Sequence, residues 1–145
     1  MADLVQLVHA PIDVATLATA SPCDGAVALF IGVVRNENAG RAVVRLEYEA
    51  YEEMALAQMA EIAAEARRRF PVTEVRLVHR LGRLEIGEAS VVVAVASPHR
   101  DEAFRACRFA IDTLKVLVPI WKKEYYADGS AWLGGPREPA PSSPR

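Results

Sequence analysis

Three lysines in the second half of the chain are the residues whose types and spacing could do chemistry. The 145 residues include 17 basic side chains, and all of them except Lys115, Lys122 and Lys123 are arginines. An arginine stays protonated in a protein, whereas a lysine amine can lose its proton when it is desolvated or lies near other cations. The local change from arginine to lysine therefore indicates amine chemistry, although a chance grouping on a solvated turn would give the same count.

Each of the first two lysines has a setting that suits a reactive amine and also a structural explanation. Lys115 falls in the last turn of a predicted helix, where a cation stabilises the helix dipole without any catalytic role. Lys122 follows Ile120 and Trp121, an apolar setting in which the pKa of an amine can fall. The sequence predicts that these two side chains act on an anionic substrate.

The start of the same helix carries a second basic pair, His99-Arg100. Free backbone N–H groups at a helix start attract anions, and an arginine can bind a phosphate with two hydrogen bonds. A histidine that only bonds near the cap, beside a solvated arginine, is an equally good interpretation.

The length of this helix separates the two groups of basic residues. His99 and Lys115 are sixteen positions apart, which is roughly 24 Å at ~1.5 Å per residue. Groups so far apart cannot hold one small substrate within one chain. Either they serve different sites, or a dimer brings His99 and Arg100 of one subunit to Lys115 and Lys122 of the other, and we favour the dimer.

Several familiar sites are absent from the sequence. The segment Gly82 to Gly87 has the glycine spacing of a P-loop, but Glu88-Ala89 stands where lysine and serine or threonine are needed. No HExxH or GxSxG motif occurs, and Cys107 lies on an apolar helix stripe that predicts an inert core thiol. The formal net charge of −2 argues against general nucleic-acid binding. We therefore expect no metal and no cofactor, no nucleic-acid or membrane partner, and a cytoplasmic protein.

The elements that must position these residues follow from hydrophobic periodicity and from turn residues. The predicted strands are residues 4–8, 26–34, 43–51, 72–78 and 90–96, and the predicted helices are residues 14–20, 52–70 and 98–118. Strand 26–34 is expected to be buried and to form a hairpin with strand 43–51 across a polar loop that begins at Arg35. Helices interleaved with hairpin-like strand pairs predict one α+β domain over residues 1–135, with a mainly antiparallel sheet and a disordered Pro/Ser-rich tail over residues 136–145.

Capping residues and prolines predict where the helices begin and end, and the spacing of apolar residues predicts which helix faces are buried. Asp13 and Ser97 are predicted N-caps, with Pro98 at a first helical position, and Pro71 and Pro119 end the two long helices. The residues expected to be buried by these two helices are Leu56, Met59, Ala63, Ala66, Phe70, Phe104, Cys107, Ile111, Leu114 and Val118.

Six segments in order resemble the large, catalytic subunit of molybdopterin synthase. They are residues 32–36 (GVVRN), 47–51 (EYEAY, with Met54-Ala55), 79–82 (HRLG), 97–100 (SPHR, with Ala103-Phe104), 112–115 (DTLK) and 119–124 (PIWKKE). The resemblance runs from about Gly25 to Trp132. It implies an α/β hammerhead-type fold and a central homodimer, with a small ubiquitin-like sulfur carrier at each end of a heterotetramer.

The resemblance also implies a reaction and a set of residues. In that family the Gly-Gly thiocarboxylate of the carrier donates sulfur to cyclic pyranopterin monophosphate, and two transfers create the dithiolene of molybdopterin. The matching catalytic residues are Lys115 and Lys122. The matching substrate-binding positions are Val33, Val34, Arg35, His99, Arg100, Lys123 and Glu124.

One departure from the family and one alternative function accompany this interpretation. Family members often carry a basic residue shortly after the last tryptophan, whereas here Trp132 is followed by Leu133-Gly134-Gly135-Pro136-Arg137. The alternative function is a non-catalytic dimeric module that binds a phosphorylated ligand or an acidic protein tail. The lysine pair argues against it, because arginine would serve simple anion binding equally well.

Overall fold

The computed structural model describes residues 3–134, so the predicted tail lies outside the described residues. The elements in chain order are β1 (Leu4–Val8), α1 (Val14–Leu17), β2 (Ala26–Val33), β3 (Glu37–Asn38), β4 (Arg41–Ala50), α2 (Glu52–Arg69), β5 (Glu74–Arg80), β6 (Gly82–Glu85), β7 (Ala89–Ser97), α3 (Arg100–Leu117), β8 (Ile120–Tyr126) and β9 (Ala131–Gly134). Every strand pair is antiparallel except β1 with β5. The predicted α+β class with a mainly antiparallel sheet is confirmed.

The first sheet has the strand order β1-β5-β7-β2 and carries α2 and α3 on one face. Its central strand β7 is rich in valine and alanine, and such small or β-branched side chains suit a strand that is covered on both faces. The main core lies between this sheet and the two helices, where Val75, Leu77 and Val93 are fully buried. This core holds α3, and therefore Lys115, in place.

The second sheet is built around β4, which pairs with β3 at its start and with β6 and β8 along its length. Strand β9 then pairs with β8. A small separate core of Val34, Val43, Leu46, Leu84 and Tyr126 lies beneath it. Strands β8 and β9 were not predicted. Strand β8 mixes charged and aromatic residues without a clean apolar alternation, and the four residues of β9 are too few to show one.

The predicted hairpin between strands 26–34 and 43–51 is wrong. Strand β2 instead pairs with β7, from Ala26 opposite Ser97 to Val33 opposite Ala89. The polar loop forms its own small hairpin of β3 and β4, in which Ala39 and Gly40 both have positive φ. This tight turn directs β4 into the second sheet, and the apolar strand β2 pairs with the apolar strand β7.

Strand β2 is also not buried, contrary to the prediction. It lies at the edge of the first sheet, and only its helix-facing side, with Ala28, contributes to the main core. On the other face Leu29 and Ile31 are each 40% exposed and Val33 is 53% exposed. We call these three residues the β2 apolar stripe.

Asp13 is the N-cap residue of α1 as predicted, whereas the predicted N-cap Ser97 is wrong. The side chain of Asp13 makes no cap hydrogen bond, and α1 ends at Leu17 rather than at residue 20. Ser97 closes β7, and the N-cap of α3 is His99, whose backbone N–H donates to Ser97 Oγ at 3.3 Å. Strand pairing with Ala26 takes Ser97 away from the cap position.

The two long helices end close to their predicted ends, but their buried faces differ in part. Met59, Ala63, Ala66, Cys107, Ile111, Leu114 and Val118 are buried as predicted. Phe70 is partly buried, Leu56 is more than a third exposed, and Phe104 is 66% exposed. Small residues such as Ala103 and Ala106 take the places against the sheet, because close helix packing excludes a large ring there.

Candidate active site

Lys115 and Lys122 meet in one cleft although they lie on different elements. Lys115 is in the last turn of α3, and the chain leaves the helix at Val118 and Pro119 to return as β8. The backbone N–H of Tyr51 donates to the Pro119 carbonyl at 3.2 Å, which fixes this bend against β4. The cleft has a volume of about 180 Å³ and is lined by Gly32, Val33, Arg35, Glu37, Asn38, Val43, Leu46, Tyr48, Ser90, Lys115, Lys122 and Glu124.

The carboxylate of Glu124 is the fixed negative charge of the cleft. Glu124 is 3% exposed, and Asn38 Nδ2 donates to both of its oxygens at 2.8 and 2.9 Å. The Tyr126 hydroxyl donates to Oε1 at 2.7 Å, and Lys122 Nζ lies 3.4 Å from Oε2. Burial and the bond to Glu124 raise the pKa of Tyr126 to about 12, so the phenol remains a donor. Lys122 is therefore held by an anchored ion pair.

Lys115 has a different electrostatic setting from Lys122. Partial burial of its amine lowers the pKa of Lys115, and the nearby charge of Lys122 lowers it further. An amine whose pKa moves toward neutrality can both take up and deliver a proton at physiological pH. With Arg35 the cleft has three cations against the carboxylates of Glu37 and Glu124, so it favours an anionic ligand.

The floor of the cleft contains polar residues that sequence reasoning missed. Ser90 Oγ donates to the Gly32 carbonyl at 3.2 Å, and burial raises the pKa of Tyr48, so its phenol stays protonated. The ring of the buried His79 contacts Tyr48 edge-on, with the ring centroids 5.0 Å apart. The signal that could have pointed to them is a polar group on an otherwise apolar strand face, Tyr48 beside Leu46 and Ala50 in β4 and Ser90 among the valines of β7.

The structure brings only part of the predicted site together within one chain. Val33, Arg35, Lys115, Lys122 and Glu124 line the cleft. Lys122 and Glu124 share one face of β8, and the alternation of a strand puts Lys123 on the other face, 5.1 Å from the ring centroid of Tyr125.

The remaining predicted residues lie elsewhere. Val34 is buried in the small core of the second sheet, with its N–H donating to the Glu88 carbonyl at 3.0 Å. His99 and Arg100 stand at the opposite end of α3 from Lys115. Their roles in substrate binding, like that of Lys123, stay predictions for an assembly of more than one chain.

Residues 3–134 contain no group of three His, Cys, Asp or Glu side chains placed to hold a metal ion. No helix in this described part is long and apolar enough to cross a membrane.

Comparison with known proteins identifies the family of the chain. Residues 7–116 match the family model described as MoaE protein. The chain belongs to the MoaE family. Among curated MoaE relatives, "Molybdopterin synthase catalytic subunit" of Nostoc sp. is 54% identical over 112 residues, which is 76% of this chain and 68% of the relative. The protein of the same name from Pyrococcus abyssi is 43% identical over 137 residues, covering 92% of this chain and 93% of the relative.

A solved MoaE-type structure shows the same fold. The crystal structure of molybdopterin synthase from Staphylococcus aureus superposes with a TM-score of 0.86 at 40% sequence identity, and the match covers 90% of this chain and 96% of that chain. The family resemblance found in the sequence motifs is thereby confirmed.

Proposed function

We propose that the chain is the catalytic subunit of a molybdopterin synthase, a sulfurtransferase of molybdenum cofactor biosynthesis. It takes sulfur from the C-terminal Gly-Gly thiocarboxylate of a small ubiquitin-like subunit and transfers it to cyclic pyranopterin monophosphate. The observation that carries this proposal is the meeting of Lys115 and Lys122 in one cleft, in a chain with a single further lysine. The curated relatives at 43–54% identity bear the corresponding name.

The cleft supplies the two things that sulfur transfer to an anionic substrate requires. The cations Arg35, Lys115 and Lys122 bind the negatively charged substrate, and they stabilise negative charge that develops as sulfur attacks. The departing oxygen needs a proton, and Lys115, with its lowered pKa, is the proton-transfer group. Lys122, paired with Glu124, holds the substrate.

The active unit is a homodimer with a site shared between the subunits. The β2 apolar stripe lies on an edge strand, which is a surface that a second copy of the chain can cover. Arg100 and Lys115 are separated by roughly 22 Å at ~1.5 Å per residue of helix. His99 and Arg100 of one subunit therefore serve the cleft of the other.

The carrier subunit is the remaining partner, and the cytoplasm is the proposed location. The carrier's extended Gly-Gly end is narrow enough to enter a small cleft. The two thiols, Cys23 and Cys107, are both free, as expected in a reducing compartment.

The experiment that tests the proposal is sulfur transfer with purified components. The chain, the thiocarboxylated carrier and cyclic pyranopterin monophosphate are combined, and molybdopterin is detected as the product. We expect product that disappears with a carrier ending in an ordinary carboxylate. Lys122→Ala should impair turnover through the cleft, and Lys123→Ala, at the adjacent position on the opposite face of β8, measures the predicted contribution of Lys123 to substrate binding. Carrier binding without product would instead support the non-catalytic binding module.

Mixed dimers test the shared site. A Lys115→Ala chain and a chain with both His99→Ala and Arg100→Ala are co-expressed, and the heterodimer is isolated. If the site is shared, the heterodimer contains one intact site and has activity that neither variant has alone. Lack of complementation would place both groups in sites confined to one chain.

A further inference from the structure

The buried carboxylate of Glu124 has its acceptor positions occupied by other side chains of the cleft. An ionised carboxylate has about four lone-pair sites and no hydrogen to donate. Asn38 Nδ2 donates to Oε1 at 2.8 Å and to Oε2 at 2.9 Å. The Tyr126 hydroxyl donates to Oε1 at 2.7 Å, and Lys122 Nζ lies 3.4 Å from Oε2, so each oxygen has two partners. A carboxylate with these four contacts orients its donors and has no lone pair left for a substrate.

The partners of Glu124 reach it from two walls of the cleft. Lys122 and Tyr126 lie on β8, two residues to either side of Glu124, so they belong to the same strand as the carboxylate. Asn38 lies on β3, 86 positions away in the chain. Arg35 lies just before β3 and lines the same cleft. The two hydrogen bonds of Asn38 therefore join the wall that carries Arg35 to the wall that carries Lys122.

The hairpin of β3 and β4 holds Asn38 in place. Asn38 stands opposite Arg41 in this hairpin, and the turn residues Ala39 and Gly40 between them both have positive φ. The guanidinium of Arg41 lies 3.8 Å from the ring centroid of Tyr126, so the hairpin is also packed against β8. A donor presented by a fixed turn can hold another side chain in one orientation.

We propose that Asn38 is a positioning residue for substrate binding: its two hydrogen bonds to Glu124 fix the Lys122 ammonium relative to Arg35 on the other wall of the cleft. Two cations at a fixed spacing bind an anionic group in one orientation. Without the Asn38 donors, two acceptor sites of a carboxylate that is only 3% exposed would lack a partner. The carboxylate would then turn toward Lys122 and draw its ammonium away from the substrate. The assignment of substrate binding to Arg35 and Lys122 rests on the proposed function.

Two substitutions separate hydrogen-bond donation from the shape of the side chain. Asn38→Asp keeps the size and the turn preference of asparagine but replaces the N–H donors with a second acceptor. Asn38→Ala removes the donors without adding a charge. Asn36→Asp and Asn36→Ala are the matched controls, because Asn36 is exposed in the same segment and is not among the residues that line the cleft. Urea unfolding establishes that all four variants are folded.

A double-mutant cycle with Lys122 distinguishes positioning from a general structural effect. In sulfur transfer by the full-length chain, we expect Asn38→Ala to lower kcat/KM about tenfold, mainly through a higher KM for the anionic substrate. Asn38→Asp should be impaired at least as much, and the Asn36 variants should behave as the wild type. In a Lys122→Ala chain, Asn38→Ala should change kcat/KM by less than about twofold, because the side chain that it positions is gone.

Either of two kinetic results would overturn the proposal. Equal losses from Asn38→Ala in the wild-type and Lys122→Ala chains would mean that Asn38 acts independently of Lys122. Wild-type kinetics in Asn38→Asp would mean that the shape of the side chain suffices and that its donors are not needed.

The mobility of the Lys122 side chain gives a readout that requires no turnover. The three lysines are dimethylated with ¹³C-formaldehyde, their NMR signals are assigned with single Lys→Arg variants, and methyl order parameters are measured. We expect Asn38→Asp to lower the order parameter of Lys122 and to leave that of Lys123, which contacts Tyr125 on the other face of β8, unchanged. An unchanged value for Lys122 would contradict the positioning role. Absence of product in the wild type would count against the proposed function alone, since the NMR comparison does not depend on it.

Discussion

Strands β7 and β8 represent the two sheets of the molecule, and they differ in almost every physical property. Eight of the nine residues of β7 are buried, and the strand consists of valine, alanine and two serines. Strand β8 has seven residues, of which only Glu124 and Tyr126 are buried, and it alternates between the cleft and the solvent. Full burial of a valine stabilises a protein by about 1.5–3 kcal/mol, whereas burial of the Glu124 carboxylate costs free energy unless its partners are present. The first sheet therefore supplies most of the stability, and the second sheet, together with Lys115 at the end of α3, supplies charges of the cleft.

The largest expected effect is a loss of sulfur-transfer activity in a variant that keeps its fold. Lys115→Ala removes the proposed proton-transfer group, and we expect turnover to fall about 10²–10⁴-fold, as is typical for such a group. The free energy of unfolding should change by less than about 1 kcal/mol, because the side chain contributes little to the core. Steady-state kinetics and urea unfolding measure the two quantities. Lys115→Arg keeps the cation but not the titratable amine, and full activity in that variant would refute proton transfer by Lys115.

The converse change affects the first sheet. Leu77 is fully buried, and Leu77→Ala should lower the free energy of unfolding by about 2–5 kcal/mol through lost transfer energy and a residual cavity. At a temperature where the variant is still folded, turnover per folded molecule should stay close to that of the wild type. A selective loss of turnover with unchanged stability would contradict the division between the two sheets.

The pH dependence of stability depends on the one buried histidine of the first sheet. The pKa of His79 falls from 6.5 to about 4 on folding, so between these values the unfolded chain binds the extra proton and the folded chain does not. The contribution of His79 to stability is therefore fully present above pH 6.5 and is lost progressively as the pH falls toward 4. Between pH 7 and pH 5 the wild type should lose about 2 kcal/mol more than His79→Gln does. Urea unfolding at both pH values provides the comparison, and parallel slopes for the two proteins would exclude the titration of His79 as the cause.

The smallest of these effects concerns the anchored carboxylate of the second sheet. Glu124→Gln preserves shape but removes the charge that pairs with Lys122, and we expect turnover to fall about tenfold, the value of one charge-assisted hydrogen bond. Glu47→Gln is the matched control, because Glu47 accepts from the Tyr125 hydroxyl at 3.0 Å outside the residues that line the cleft. Equal losses of turnover in Glu124→Gln and Glu47→Gln would mean that activity depends on the total charge of the second sheet and not on the ion pair between Lys122 and Glu124.

Local signals in the sequence sufficed for much of the scaffold and for singling out the two lysines that line the candidate cleft. Periodicity gave the long helices because their buried faces repeat every turn, and the unusual use of lysine pointed to Lys115 and Lys122. The hairpin between 26–34 and 43–51 was wrong because strand pairing depends on long-range partners, here β7 and β8, that no local pattern encodes. Proximity in sequence favoured the wrong partner.

The prediction of which side chains are buried was wrong where an apolar residue lies on an exposed face, and site residues were missed where a polar residue lies among apolar ones. Phe104 was expected in the core because it is apolar, yet the space against the sheet is taken by small alanines. Tyr48 and Ser90 were missed because each stands among apolar residues, Tyr48 on one face of β4 and Ser90 in β7, where a tyrosine or a serine is easily counted as part of the core. The positions of His99, Arg100 and Lys123 relative to the cleft depend on a second chain, so the fold of one chain does not test them.

The pairing of β8 with β4 decides which lysine faces the cleft. Lys122 stands opposite Tyr48 and Lys123 opposite Glu47, so neighbouring lysines point in opposite directions. If β8 slipped by one residue, Lys123 would replace Lys122 in the cleft and Glu124 would turn outward, away from Asn38 and Tyr126. The cleft would keep its cation and lose its only buried carboxylate among the lining residues. The hydrogen bonds to Glu124 therefore stabilise the observed register of β8 with β4. A single-residue insertion before Lys122 would have to break them.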